Sequence, residues 1–209
     1  IGWKISQNNI FHTFINIVMI GKKEIKTYLV FIRDLVFEPK KTIISGYQEK
    51  LFGNSKFFYS FVLFSAILIS LANIIKHCFV LRNFILDEMI KDAVFEPLFF
   101  IASYYFSFYI LRFIYDRIVP DKVDNIQLNY ILIPVYTIIT LVNVLLCLFV
   151  NMWFLNLLYI LAIPILWIFS QTFLDVDSKI KYFMTFSSIV LILSCKVVRI
   201  IFSFFAPNF

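Results

Sequence analysis

Five long apolar stretches, none of which contains an acidic residue or a histidine, dominate this chain. They cover residues 57–75, 97–115, 129–150, 152–170 and 182–206. Each is close to or longer than the ~20 residues that an α-helix needs to cross a ~30 Å hydrocarbon core. The stretches therefore predict an all-α, polytopic membrane protein with five transmembrane helices.

The composition indicates a lipid rather than an aqueous environment. Of the 209 residues, 61% are hydrophobic, whereas about 45–50% is usual in a soluble domain. The mean hydropathy is +0.88. A soluble core of this size cannot bury so much apolar surface. We therefore expect the lipid bilayer to be the main partner, and we expect no nucleic-acid partner.

The positive charges predict how the helices are oriented. Nine of the 19 Lys and Arg residues precede residue 57. If the N-terminus is inside, thirteen of the 19 cations of the chain fall in segments on the inner side and three in segments on the outer side. Because inner loops carry the excess of Lys and Arg, we predict an N-terminus inside and a C-terminus outside.

Residues 1–56 form a basic, amphipathic N-terminal segment, distinct from the five-helix domain of residues 57–209. Apolar side chains recur at helical spacing between residues 25 and 36, and the cations lie on another face. Such a helix can lie in the headgroup layer of the membrane. Packing on the cytoplasmic ends of the spans explains the pattern equally well. The candidate contacts with anionic lipid are Lys22, Lys23, Lys26 and Arg33.

A second amphipathic stretch, residues 82–96, separates the first two spans and is expected to lie on the outer surface. Its end resembles part of the N-terminal segment, since Asp34-Leu-Val-Phe-Glu-Pro39 and Asp92-Ala-Val-Phe-Glu-Pro97 match at five of six positions. Two interpretations are open. One is a duplicated helix–proline–span unit, as in transporters. The other is chance matching of two helices that each end before a proline opens the next element.

Three cations within or near the spans are candidate contacts with a partner or with lipid. Arg112 precedes Asp116 by four residues, so snorkelling with an ion pair explains it. Lys196 and Arg199 share one face of the last span, and the spans contain no carboxylate to neutralise them. They either snorkel outward, contact a carboxylate or lipid phosphate of another molecule, or serve anion transport.

Asn143 and Asn156 are the candidate interhelical polar contacts. They lie on consecutive spans, 129–150 and 152–170, which are joined by one residue and must form a tight hairpin. Amide side chains on neighbouring transmembrane helices commonly hydrogen-bond to each other. We expect this contact here, with a substrate site as the alternative.

The sequence contains no pattern typical of catalysis or of a cofactor site. Its two histidines, His12 and His77, are isolated near span boundaries, and the chain has only four glycines. No zinc-protease, nucleophile-elbow or phosphate-loop motif is present. The three cysteines have no ligand spacing. We predict no enzymatic activity, no cofactor and no metal.

The segment before the first span contains Leu35-Val-Phe-Glu-Pro39-Lys-Lys, Gly46-Tyr47 and Lys50 in that order. This arrangement resembles a bacterial family of uncharacterised integral membrane proteins grouped near the five-span Yip-type proteins. The resemblance covers residues 2–65 and implies a topology but no activity. The sequence departs from the family in lacking its Gly-Lys-Arg element, the proline at the start of the first span, and its frequent N-terminal zinc ribbon.

These features favour a non-catalytic accessory subunit of a larger bacterial inner-membrane complex, respiratory or transport. Its partners would be other membrane subunits, because the chain has short loops and no acidic or cofactor site inside its spans. A small homo-oligomeric transporter or channel is the first alternative, and it would use Asn143, Asn156, Lys196 and Arg199. A lipid-organising protein, bound through the basic N-terminal segment, is the second.

Overall fold

The computed structural model describes residues 22–81, 85–118 and 125–173, and the helical positions 187, 190, 191, 194, 197, 198, 200 and 201. No strand occurs in this part of the chain. The elements, in order, are α1 (Lys22–Phe37), α2 (Pro39–Gln48), a 3₁₀ turn (Leu51–Gly53), α3 (Ser55–Ile75) continued by a π-helical turn (Lys76–Val80), α4 (Leu86–Ile118), α5 (Asn125–Leu148), a 3₁₀ segment (Trp153–Leu161) and α6 (Ala162–Phe173). The chain divides into two compact units, residues 1–64 and 65–209.

Three helical segments are long and apolar enough to cross a membrane, namely Ser55–Val80, Leu86–Ile114 and Leu128–Leu148. They confirm the prediction of an all-helical chain compatible with an integral membrane protein. A shorter apolar helical segment covers Phe154–Ile168, inside the fourth predicted span. The fifth predicted span lies largely outside the described residues, so the five-span count stays a prediction.

An aromatic core holds the first unit together. The rings of Tyr28 and Phe31 on α1 are buried, as are those of Phe52, Phe57 and Phe61. Tyr28 meets Phe57 and Phe61 edge-on, with ring centroids 5.8 and 5.9 Å apart. Edge-to-face pairs add about 0.5–1.5 kcal/mol each beyond the burial of apolar area. Aromatic packing therefore fixes α1 against the first turns of α3.

Two backbone features set the path between α1 and α3. Pro39 lies at the start of α2, where the absence of its N–H costs nothing. Lys50 has a φ of 52°, in the left-handed region, and ends the α2 segment before the 3₁₀ turn. The chain can therefore reverse and bring Phe52 back onto the buried face of α2.

Gly46 on α2 lies against the ring of Phe52, and this contact leads to a prediction. A Cβ atom at position 46 would lie 2.8 Å from Cε2 of that ring, which is buried among other aromatic rings. Overpacking costs about 1–3 kcal/mol, and the better helix propensity of alanine returns about 1 kcal/mol. We expect Gly46→Ala to destabilise α2 by about 1 kcal/mol, measured by hydrogen exchange of its amides in the full chain.

The Phe52→Leu background provides the control for this prediction. Leucine has no atoms at the Cε2 and Cζ positions, so Gly46→Ala should there become neutral or stabilising. If Gly46→Ala costs the same in both backgrounds, the contact with the ring is not the cause.

In the second unit, α4 runs without a break through Pro97. The surface stretch predicted for residues 82–96 and the second predicted span are therefore largely one helix. Proline lacks the N–H that would bond the carbonyl of Ala93, four residues earlier. The Ser70 hydroxyl of α3 donates to that carbonyl at 2.7 Å. This bond satisfies the carbonyl that Pro97 leaves without a helical partner.

The matching hexapeptides consequently have different structural roles. Pro39 begins a helix, whereas Pro97 lies inside one. The difference arises because Ser70 is positioned to satisfy the carbonyl of Ala93. The shared sequence does not correspond to a shared arrangement, which favours chance matching over duplication.

Helix α5 forms the centre of the second unit, since all residues from 131 to 140 are buried. A helix that is apolar on every face is expected in a core. Its main polar side chain is Tyr136, whose hydroxyl donates to the carbonyl of Ser103 at 2.7 Å. The same hydroxyl lies 2.8 Å from Ser107 Oγ and 3.0 Å from Ser194 Oγ. Tyr136 thus connects α5 to α4 and to the helical positions around residue 194.

Candidate solute-binding cavity

A cavity of about 620 Å³ lies within the second unit, among α3, α4, α5, the 3₁₀ segment and α6. Its walls are mainly apolar. The lining residues are Ile69, Asn73, Lys76, Glu96, Phe99, Phe100, Ser103, Ile139, Asn143, Leu146, Cys147, Val150, Asn156, Leu157, Tyr159, Ile160, Ala162 and Leu191. Small-molecule sites in proteins typically have this size and a few polar groups on an apolar wall.

The polar groups in the middle of the cavity wall are positioned by neighbouring helices. The Tyr159 hydroxyl donates to Asn143 Oδ1 at 2.5 Å, joining the 3₁₀ segment to α5. Asn73 is buried, and its Nδ2 donates to the carbonyl of Ile69. Its Oδ1 lies 3.6 Å from the Cys147 thiol, which donates to it. These bonds fix both amides, Asn73 and Asn143, at the cavity wall.

One end of the cavity carries charged side chains. Lys76 Nζ and His77 Nε2 each lie 2.9 Å from the same oxygen of Asp92, Oδ2. Lys76 and Asp92 are partly buried, whereas the side chain of His77 is only 5% exposed. Glu96 lines the cavity one turn further along α4. The carboxylate of Asp92 therefore connects the end of α3 to the beginning of α4.

At the charged end, the carboxylates of Asp92 and Glu96 lie near one lining lysine, Lys76. Lys76 is paired with Asp92, and Glu96 adds a further negative charge at the cavity wall. Beside apolar walls, where screening by water is weak, an excess of carboxylate charge attracts cations. This end of the cavity thus favours a positively charged group.

The two ring nitrogens of His77 have different surroundings, since only Nε2 contacts Asp92. Its Nδ1 is buried and has no hydrogen-bond partner. Among residues 22–81, 85–118 and 125–173, no group of three or more His, Cys, Asp or Glu side chains is arranged to hold a metal ion. The contact of His77 with Asp92 is therefore a hydrogen-bonded or charged pair, according to the tautomer and charge of the ring.

The structure brings two of the predicted residues to one site. Asn143 and Asn156 both line the cavity, and Asn143 bonds to Tyr159. Arg112 is exposed on α4 and does not line the cavity. Lys196 and Arg199 lie outside the described residues.

The predicted lipid contacts all lie on α1, in the first unit. Lys26 and Arg33 are exposed there. Lys22 and Lys23 belong to its first turn, but their side chains are outside the part of the chain described.

Sequence reasoning missed Asn73, Lys76 and Glu96, which line the cavity, and also His77 and Asp92 beside its charged end. Asn73 lies in the first apolar stretch and could have been found by the criterion that selected Asn143 and Asn156. His77 was interpreted as isolated, and Lys76, Asp92 and Glu96 as parts of an outer loop and surface helix. The signal for them is the short connection between α3 and α4. In a helical hairpin, the last turn of one helix lies opposite the first turns of the next.

Similarity to known proteins does not assign a ligand to the cavity. The proposed resemblance of residues 2–65 to a family near the Yip-type proteins stays a prediction. No protein-family model matches the chain, and no curated protein or solved structure is significantly similar to it.

Proposed function

We propose that this chain is an integral membrane protein that binds a small amphipathic solute in the cavity of its second unit and transports it. The observation that carries the proposal is the cavity itself, with its amides, the hydroxyls of Ser103 and Tyr159, and one charged end. Polar and ionisable groups inside apolar helices are costly, so they commonly mark a substrate path. The fixed amides can position a polar head while the apolar walls hold the rest of the molecule.

The charges favour a solute with a positively charged head. Glu96 supplies a carboxylate at the wall, and Asp92 offsets Lys76 at 2.9 Å. An anion would meet net repulsion from these groups, whereas an ammonium group would be attracted. The rings of Phe99, Phe100 and Tyr159 also line the cavity, and aromatic faces attract organic cations.

This proposal develops the transporter alternative and includes no catalysis and no cofactor. We further propose that residues 152–170 and 182–206 complete five spans in a bacterial inner membrane, with the N-terminus inside. The accessory-subunit hypothesis and its membrane-subunit partners stay predictions. Lys196 and Arg199, the residues best suited to contact a partner, lie outside the described part of the chain.

A pair of probes that differ in charge but share an aromatic body tests the proposal. Benzyltrimethylammonium and benzenesulfonate keep opposite charges at every working pH. We expect the purified protein to bind the cation and proteoliposomes to accumulate it, with much weaker binding of the anion. Glu96→Gln and Asn143→Ala should each weaken cation binding about tenfold, the first by removing a carboxylate charge and the second by removing an amide dipole from the cavity wall.

Glu88→Gln is the matched control, since it removes the same charge from an exposed position on α4 that does not line the cavity. It should leave binding of the cation within about twofold, because surface charges are screened by salt. Absence of binding, or equal losses in Glu88→Gln and Glu96→Gln, would contradict a cation site in the cavity.

A further inference from the structure

The outward surface of α1 combines cations with exposed apolar side chains. Successive residues of an α-helix are about 100° apart, so Lys26 and Arg33 lie together in the middle of the exposed arc. Leu29 and Val36 lie on one side of these cations, and Val30 and Phe37 on the other. All of these side chains are exposed, Phe37 by as much as 79%.

This arrangement differs from the face predicted from the sequence. The helical spacing places Leu29 and Val36 with Tyr28 and Leu35 on one apolar face. The structure buries Tyr28 and Leu35 but leaves Leu29 and Val36 exposed. Because α1 has apolar side chains on both flanks of its cations, its outward surface is not a typical water-facing one, on which apolar residues are scattered.

The first unit also carries an excess of positive charge beyond α1. Lys40, Lys41, Lys50 and Lys56 are all exposed. Arg33 pairs with Asp34 at 2.7 Å, and Lys41 pairs with Glu38 at 3.0 Å. Residues 26–56 contain six Lys or Arg side chains and three Asp or Glu side chains. The surface is therefore complementary to negative charge.

Contacts within the unit pack α1 on the N-terminal part of α3. Tyr28 packs against Phe57, Phe61 and Phe64, which belong to the first three turns of α3. The segment Ser55–Val80 has 26 residues, about 39 Å at 1.5 Å per residue. This length exceeds a hydrocarbon core of about 30 Å. The excess of about 9 Å corresponds to about the first six residues of α3, so Phe57 and the part of α1 packed on it can lie at headgroup depth.

From these observations we infer that the exposed surface of α1 binds anionic phospholipid of the bilayer. Lys26 and Arg33 contact lipid phosphates, and Leu29, Val30, Val36 and Phe37 enter the boundary between head groups and acyl chains. Helices that lie in the interface combine these two kinds of contact. The inference concerns the first unit and is independent of the cavity.

Lipid binding to the purified full chain tests the cations. Native mass spectrometry would compare phosphatidylglycerol with phosphatidylcholine. Each cation near an anionic surface contributes about a fivefold increase in affinity. Lys26→Gln/Arg33→Gln should therefore lower phosphatidylglycerol affinity about 25-fold and leave phosphatidylcholine unchanged. Lys26→Arg/Arg33→Lys keeps both charges and should retain binding.

A fluorescence measurement tests the apolar flanks. Phe37→Trp would be the single tryptophan of a chain in which Trp3, Trp153 and Trp167 are replaced by Phe. Its fluorescence would be measured in vesicles of lipid brominated either near the head group or near the end of the acyl chain. We expect strongest quenching by the shallow bromines, and by the deep bromines for Ile67→Trp, which lies in the middle of the Ser55–Val80 segment. Unchanged phosphatidylglycerol affinity in Lys26→Gln/Arg33→Gln would overturn the inference. So would quenching of the tryptophan at position 37 by aqueous acrylamide alone, as expected for a surface that awaits a protein partner.

Discussion

Replacing Tyr136 by alanine is expected to lower the free energy of unfolding by about 3–5 kcal/mol, the range for loss of a buried aromatic side chain. Tyr136 is fully buried, and its ring lies edge-on to Phe100 and Tyr104, with centroids 5.5 and 5.2 Å apart. Alanine would remove these contacts and leave a cavity between α4 and α5. Unfolding by sodium dodecyl sulfate in mixed micelles would measure the loss.

Tyr136→Phe separates the hydroxyl from the ring. It keeps the ring contacts but removes the donor to the Ser103 carbonyl and the contacts with Ser107 and Ser194. The buried Ser107 hydroxyl, which lies 2.8 Å from that of Tyr136, loses this partner. An unsatisfied buried polar group costs about 1–3 kcal/mol, and we expect a loss in that range. Tyr109→Phe is the matched control, because Tyr109 is exposed on the neighbouring helix, α4. A surface change of this kind stays within about 0.5 kcal/mol, and equal effects of the two variants would contradict a stabilising role of the Tyr136 hydroxyl.

Ser70→Ala is expected to destabilise the second unit by about 1–3 kcal/mol, because it leaves the part-buried carbonyl of Ala93 without a donor. The cause is specific to Pro97, which supplies no N–H to that carbonyl. In a Pro97→Ala background, the alanine N–H can make the normal helical bond. There, Ser70→Ala should cost no more than about 0.5 kcal/mol. Unfolding in sodium dodecyl sulfate of the unchanged protein, the two single variants and the double variant gives the coupling energy between Ser70 and Pro97.

Ser60→Ala is the matched control for the Ser70 prediction. Ser60 is another serine of α3, but its hydroxyl donates to the carbonyl of Lys56 on its own helix. That carbonyl already accepts a backbone bond, so removal of the hydroxyl leaves nothing unsatisfied. A zero coupling energy between Ser70 and Pro97, or equal losses for Ser60→Ala and Ser70→Ala, would show that the carbonyl is satisfied in another way.

Hydropathy predicts the long apolar helices because the transfer of such segments from water into lipid favours helices that span the membrane. The segments Ser55–Val80, Leu86–Ile114 and Leu128–Leu148 follow directly from it. The same criterion does not predict that α4 continues through Pro97. That continuation depends on Ser70, 27 positions earlier, and no local pattern encodes such a contact.

The candidate site was less predictable than the spans. Asn143 and Asn156 were identified because an amide inside an apolar segment needs a partner. The charged end was missed because Lys76, His77, Asp92 and Glu96 lie at the ends of apolar stretches, where charges usually face water. Their convergence depends on how α3 and α4 pair in three dimensions. It also depends on the local geometry of the chain after Ile75, which hydropathy does not report.

The π-helical turn at the end of α3 makes this part of the chain sensitive to its length. The N–H of Leu81 bonds to the carbonyl of Lys76, five residues earlier, at 2.9 Å. A turn of this kind is equivalent to one extra residue inserted into an α-helix. A homologous chain one residue shorter here would continue as a regular helix and rotate the following side chains by about 100°. Presence or absence of that residue would then distinguish relatives that can bring both Lys76 and His77 to Asp92 from relatives that cannot.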